Sequence, residues 1–164
     1  MKNLILNNDQ IQQKIQRIAY QIFENNSAEN KLVMAGITGN GFLLAIKMKE
    51  ALEKIAALEV ILCEVKIDKK NPLNPISTSI PLETIQNLSL VLVDDVLNTG
   101  KTLIYGVAHF LQIHLKQFKT AVLIDRNHKK YPVKADYKGL SLSTTFQEHI
   151  SIEIENEVFT AYLT

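Results

Sequence analysis

A chain of 164 residues, 46% hydrophobic and 21% charged, is sized for one globular domain that buries about two-thirds of its unfolded surface. A formal net charge of +1 lacks the cationic excess of a dedicated nucleic-acid binder, although it leaves room for a local basic patch. A single cysteine, Cys63, excludes an internal disulfide framework, and there is neither an apolar run of ~18 residues nor an N-terminal signal core, so a cytoplasmic protein with no membrane partner is expected.

In chain order, Asn8 or Asp9 is placed to cap a helix in which Ile11, Ile15, Ile18 and Ile22 recur at helical spacing. Asn25 to Asn30 is a polar break, and Lys31 to Ile37 reads as a short strand. The loop Thr38-Gly39-Asn40-Gly41 precedes a helix from Phe42 to about Ala57, and Leu58 to Ile67 reads as a second strand. Cys63 falls in that strand and reads as a small buried hydrophobe. Asp68 to Pro75 carries two prolines, two lysines and no apolar periodicity, which predicts a mobile loop. Leu90 to Val93 are four apolar residues in a row, the pattern of a strand buried on both faces. Beyond Lys101 a helix carries Leu103, Val107 and Leu111, and a strand from about Ala121 to Asp125 leads into the basic loop Arg126 to Lys130. Alternation of Ile150, Ile152 and Ile154 with polar residues predicts a closing strand or hairpin. Strand–helix alternation implies right-handed crossovers and a parallel sheet, an α/β fold with ligands at the carboxyl ends of its strands.

Three loops fall at those ends: Gly36 to Gly41, Asp94 to Thr102 and Asp125 to Lys130. The second is the most informative. A buried strand delivers two adjacent carboxylates, Asp94 and Asp95, and then the small-residue turn Thr99-Gly100-Lys101-Thr102 at the start of a helix. Free amides and the positive end of the helix dipole suit a phosphate there; Gly100 permits close approach, and the Thr99 and Thr102 hydroxyls can donate. The acids can accept from sugar hydroxyls or face a hydrated Mg2+. A sugar phosphate satisfies both halves. A Walker A loop would need glycine where Asp95 stands, and a dinucleotide fingerprint would need glycine where Leu44 stands. Thr38 to Gly41 can cradle a second phosphate through backbone amides.

Val91-Leu92-Val93-Asp94-Asp95-Val96-Leu97-Asn98-Thr99-Gly100-Lys101-Thr102 resembles the binding motif for 5-phosphoribosyl 1-pyrophosphate (PRPP) of type I phosphoribosyltransferases. Within that family the chain is most similar to the pyrimidine-operon attenuator/uracil phosphoribosyltransferase proteins, the likeness extending to Val122–His128 and Ala135-Asp136-Tyr137. The resemblance implies one domain over residues 1–164: a central, mostly parallel sheet flanked by helices, with a small C-terminal hood. It implies that Val96, Leu97, Asn98, Thr99, Gly100, Lys101 and Thr102 hold the 5-phosphate of PRPP, that Asp94 and Asp95 meet the ribose hydroxyls and, indirectly, Mg2+, and that Thr38, Gly39, Asn40 and Gly41 take the pyrophosphate.

Relatives carry Lys or Arg in that pyrophosphate loop, and this chain does not; Lys69 or Lys70 from the mobile loop can supply the cation on closure, and Lys129 matches a position where relatives place a basic residue. Asn98 stands where purine-type relatives carry an acid, and an amide cannot serve as a base, which favours a pyrimidine, uracil first. The resemblance further points to Asp125, Phe146 and Gln147 for base recognition, with a core aromatic as the alternative reading of Phe146, and His128 is expected at the surface. It also implies a homodimer. The competing reading is a PRPP- or nucleotide-sensing RNA-binding regulator of pyrimidine genes, its basic residues Arg126, Lys129, Lys130 and Lys134.

Overall fold

In a computed structural model describing residues 1–164, the chain runs β1 (Asn3–Leu6), α1 (Asn8–Asn25), β2 (Lys31–Ile37), α2 (Asn40–Ile55), β3 (Glu59–Lys66), β4 (Ser77–Thr78), a 3-10 turn, β5 (Ser89–Leu97), α3 (Lys101–Phe110), β6 (Gln117–Asp125), β7 (Tyr137–Ser141), β8 (Ile150–Glu155) and β9 (Val158–Leu163). The six-stranded sheet has the order β4-β3-β2-β5-β6-β7, parallel except for the two-residue edge strand β4. The α/β class expected from the sequence is the one observed.

The uninterrupted apolar run of β5 follows from its position. Val91 and Val93 pack into a core shared with α1 and α2, contributed to by Ile11, Ile15, Leu44, Met48 and Leu52. Leu90 and Leu92 point to the opposite core, with Cys63, Leu103 and Phe110. Side chains alternate faces along a strand, so a strand covered on both faces needs apolar residues at every position. Cys63 is fully buried and burial pushes its thiol up, in line with a packing role.

Boundaries moved at α1, β6 and α3. The cap of α1 is Asn7 rather than Asn8 or Asp9: the Asn7 side chain accepts from Gln10 N–H at 2.9 Å, while the Gln10 side chain accepts from Asn7 N–H at 2.9 Å. Asn8 is engaged elsewhere, its Oδ1 accepting from Phe159 N–H at 2.9 Å. Strand β6 begins at Gln117, before the apolar run, because its ladder with β5 already starts at the pair Ser89–Gln117. Leu111 falls just past α3 and is exposed.

The hood differs in composition from the expectation. It is a three-stranded antiparallel sheet, β1-β9-β8, in which the N-terminal strand pairs with the C-terminal hairpin. Ile152, Phe159 and Ala161 seat it on the α1–α2 core.

In the main sheet the register sets Gly36 beside Val93 and Leu97 beside Asp125, so the three loops emerge at one end. Gly36 makes the first of them possible: a Cβ there would lie 2.5 Å from Phe42 Cα and 2.8 Å from Ala45 Cβ. Gly36→Ala is therefore expected to overpack the start of α2 and cost about 1–3 kcal/mol. Calorimetry should show a melting temperature lower by roughly 3–10 °C; an unchanged value would mean that α2 moves away freely.

Candidate functional site

Beyond β5 the chain turns through Asn98, Thr99 and Gly100 into α3. Gly100 is left-handed (φ 87°), and a Cβ on it would meet Val133 Cγ1 at 2.6 Å, so glycine is required on both counts. The carbonyls of the turn face the protein: that of Thr99 accepts from the N–H groups of Lys130 (2.7 Å) and Tyr131 (3.1 Å), and that of Gly100 from Ile104 N–H (2.9 Å). The amides do the opposite. Those of Asn98, Thr99, Gly100 and Thr102 have no acceptor within the chain, and Lys101 N–H reaches only Thr99 Oγ1, at 3.3 Å. Several free donors around one hollow at a helix start form an anion cradle.

Next to it stands the acid pair. Asp94 Oδ1 accepts from Asp95 N–H at 2.9 Å, and Asp95 Oδ1 from Val96 N–H at 2.8 Å. Lys69 reaches in from the 68–75 loop, its Nζ 3.3 Å from Asp94 Oδ1 and 4.0 Å from Asp95 Oδ1. Burial, reinforced by the neighbouring charge of Asp95, pushes Asp94 up to about 7, with Lys69 pulling the other way. Burial works against the charge on Lys69, but the two carboxylates outweigh it and raise its pKa. Lys69, the acid pair and residues 96–103 wall one cleft.

The Thr38–Gly41 loop joins the same site through Asn40, the first residue of α2, whose Nδ2 donates to Asp95 Oδ2 at 3.2 Å and to the Ile152 carbonyl of the hood at 2.9 Å. Gly39 (φ 89°) opens α2, and a Cβ on Gly41 would lie 3.0 Å from Asp94 Oδ1. Thr38 is held to β3, its N–H bonded to the Val65 carbonyl (2.8 Å) and its hydroxyl to Glu64 (3.2 Å). The first amides of α2 thus open beside the acids.

Residues named for the base gather around the 126–148 segments. Asp125 is buried at the end of β6; its Oδ1 accepts from Asn127 N–H at 3.0 Å, and its Oδ2 lies 3.9 Å from Lys129 and 3.7 Å from Lys138. Phe146 is 87% exposed with its ring centroid 5.4 Å from that of His128, which removes the core-aromatic alternative. Gln147 is exposed, and His128 is half-buried, its Nε2 against the Thr144 carbonyl. None of Asp125, Lys129, Phe146 and Gln147 lines the cleft walled by Lys69 and residues 94–103.

Arg126 corrects the basic patch. Only 8% exposed, it turns inward to Thr144 Oγ1, the carbonyls of Thr145 and Glu148, and Asn98 Oδ1. Its place immediately after a buried strand was the available signal. Asn40, named above for its loop, also links that loop to the acid pair and the hood, which the sequence did not show.

No group of three or more His, Cys, Asp or Glu residues is positioned to hold a metal ion, so the acid pair suits a divalent cation only when ligand oxygens or water complete the shell. No helix is long and apolar enough to cross a membrane.

Residues 3–156 match the sequence profile of the phosphoribosyl transferase domain. A bifunctional protein PyrR of Streptococcus thermophilus is 33% identical over 155 residues, covering 92% of this chain and 89% of that protein. A bifunctional protein PyrR of Elusimicrobium minutum is 29% identical over 94% of this chain and 91% of its own length. Among solved structures, the hypoxanthine phosphoribosyltransferase of Trypanosoma cruzi superposes with a TM-score of 0.79 at 18% identity, covering 97% of this chain and 95% of that one. A hypoxanthine-guanine phosphoribosyltransferase of Bacillus anthracis gives 0.72 at 19% identity, over 88% and 84% of the respective chains. At such identity these two speak for the fold alone.

The raised Asp94 has a consequence for stability. The folded chain keeps its proton up to about pH 7, whereas an ordinary aspartate releases it near 3.8. Unfolding between those values releases a proton, so this group's contribution to stability falls as pH rises from about 4 to about 7. Asp94→Asn should flatten that slope, giving a variant whose stability relative to wild type is greater at pH 8 than at pH 5 in urea titrations. Identical pH slopes would show that the carboxyl is not held protonated.

Proposed function

The chain belongs to the phosphoribosyl transferase domain family, and from that premise we propose that it transfers the phosphoribosyl group of Mg-PRPP to a pyrimidine base, uracil first, with release of pyrophosphate. The observation that carries the reading is the cradle of unpartnered amides beside an acid pair whose first member, Asp94, is buried. The turn Val96–Thr102 takes the 5-phosphate, which its amides bind without a single arginine. Asp94 and Asp95 accept from the ribose hydroxyls and fix the sugar ring. The pyrophosphate lies against the amides of Thr38–Gly41 at the start of α2.

Attack by a ring nitrogen on the anomeric carbon breaks the bond to pyrophosphate through an oxocarbenium-like transition state. The protein contributes positioning and electrostatics. Two carboxylates with no third acid nearby suit a Mg2+ that arrives on the substrate, since this ion is held by one or two protein carboxylates plus phosphate oxygens. When bound, the ion offsets the charge of the departing pyrophosphate. Lys69 is the chain's own cation for the same purpose: substrate hydroxyls displace it from the acids, and its loop leaves it beside the pyrophosphate. Lys129 and Asp125 sit as a pair on the base side, where Phe146 offers an open ring face and Gln147 its backbone. We place the protein in the cytoplasm as a homodimer.

The word bifunctional in the relatives' name supports a second property, binding of pyrimidine-operon leader RNA, for which Lys130 and Lys134 offer exposed ammonium groups while Arg126 does not.

Incubation with PRPP, Mg2+ and single nucleobases is expected to yield UMP from uracil; no product with uracil removes the substrate, and none with any base removes the enzyme. Lys69→Ala should lower kcat by roughly 100-fold with little change in uracil KM, and an unchanged kcat would take Lys69 out of the reaction. Filter binding with leader RNA should be steeply salt-dependent and respond to UMP; flat, UMP-independent retention would discard the regulator.

A further inference from the structure

The loop that carries Lys69 is more ordered than its composition implies. Its two ends are fixed by the β3–β4 ladder, in which Val65 pairs with Thr78 and Lys66 with Ser77. Glu64 and Ser79 extend that closure: the Ser79 N–H donates to the Glu64 carbonyl at 2.9 Å, and the Glu64 N–H to Ser79 Oγ at 2.9 Å. Between these ends Pro72 is buried, although its neighbours Asn71 and Leu73 are exposed.

One carboxylate closes the tip. Asp68 Oδ1 accepts from the N–H groups of Lys70, at 3.0 Å, and Asn71, at 3.3 Å, and Oδ2 accepts from Asn74 Nδ2 at 2.9 Å. Asn71 and Asn74 complete the ring: Asn71 Nδ2 donates to Asn74 Oδ1 at 3.2 Å, and Asn74 N–H to the Asn71 carbonyl at 3.0 Å. These donors hold the Asp68 carboxyl below the usual carboxylate range, the Lys70 N–H contributing most. Asp68 does not line the cleft, and its side-chain bonds all run within the loop.

Lys69 stands between Asp68 and Lys70, so the bonded carboxylate holds the backbone on both sides of it. From that base its Nζ comes to 3.3 Å from Asp94 Oδ1 and 4.0 Å from Asp95 Oδ1. A lysine side chain turns about four single bonds, and anchoring its Cα confines the space that the ammonium explores.

We propose that Asp68 is a positioning residue that braces this loop and so presets the Lys69 ammonium at the acid pair for the transfer reaction. The cost of ordering the loop is then met when the chain folds and not at each turnover. The inference rests on the part given to Lys69 above and adds the residue that places it.

Asp68→Ala should lower kcat roughly 10-fold and leave uracil KM within about twofold. Asp68→Asn keeps an acceptor for the two N–H groups and loses the one for Asn74, so it should recover part of the loss. The double variant Asp68→Ala/Lys69→Ala should match Lys69→Ala within about twofold, because a group that acts only through Lys69 has nothing left to place. A further loss of roughly 10-fold in the double variant would overturn the assignment.

Acetylation by acetic anhydride, followed residue by residue in a mass spectrometer, reads the placement without turnover. The carboxylates favour the charged form of Lys69, so in wild type it should react several-fold more slowly than the exposed Lys70. In Asp68→Ala the two rates should converge; a Lys69 that stays as slow as in wild type would show that Asp68 does not place it. Wild type that turns over no base overturns the site reading instead, and with it the part of Asp68 in the reaction.

Discussion

Two carboxylates at the end of a strand buried on both faces are the constraint around which this site is arranged. Asp94 and Asp95 cannot both hold full charge in so dry a place without compensation, and the fold supplies it in three forms. Each carboxylate accepts an N–H from the residue after it. Lys69 brings a cation from the 68–75 loop. Asn40 contributes a neutral donor to Asp95. What compensation remains incomplete shows as the raised pKa of Asp94, which burial and the neighbouring Asp95 push up against the pull of Lys69.

The parallel sheet brings these compensating groups to one point. Its register aligns the ends of β2, β5 and β6, and the close contacts of Gly36 and Gly41 bring the start of α2 to the acids. A side chain at either glycine would hold α2 off, so the position of Asn40 over Asp95 depends on them. The hood is tied to the same point through the Asn40–Ile152 bond, which makes the antiparallel sheet part of the site although none of its residues walls the cleft beside the acids.

Local signals in the chain were enough for much of this. The four-residue apolar run, the acid pair and the Thr-Gly-Lys-Thr turn lie within fourteen residues of one another, so β5, its turn and α3 could be read together. The strand of residues 31–37 was equally plain. What stayed hidden depends on long-range pairing. Strand β1 is four residues long and gains its structure only from β9, more than 150 positions away in sequence. Arg126 reads as one more cation in a basic loop; its place just after a buried strand hints at burial, and the tertiary placement of Thr144–Glu148 supplies its partners. The partners of Lys69 and Asn40 lie 25 and 55 residues downstream, distances at which periodicity and propensity carry no information.

The neutral amide of Asn40 beside Asp95 is best understood from the same charge balance. A fixed Lys or Arg at the position of Asn40 would neutralise Asp95 permanently and leave less need for a mobile cation. With asparagine there, the acid pair attracts Lys69, which sits on a loop built largely from proline and polar residues. The ammonium group is close enough to both carboxylates to offset their repulsion, yet 44% of its side chain remains exposed, so leaving costs little desolvation in reverse. The charge that offsets the acids is thus carried on a loop and not on the rigid start of α2, and its exposed side chain leaves it exchangeable.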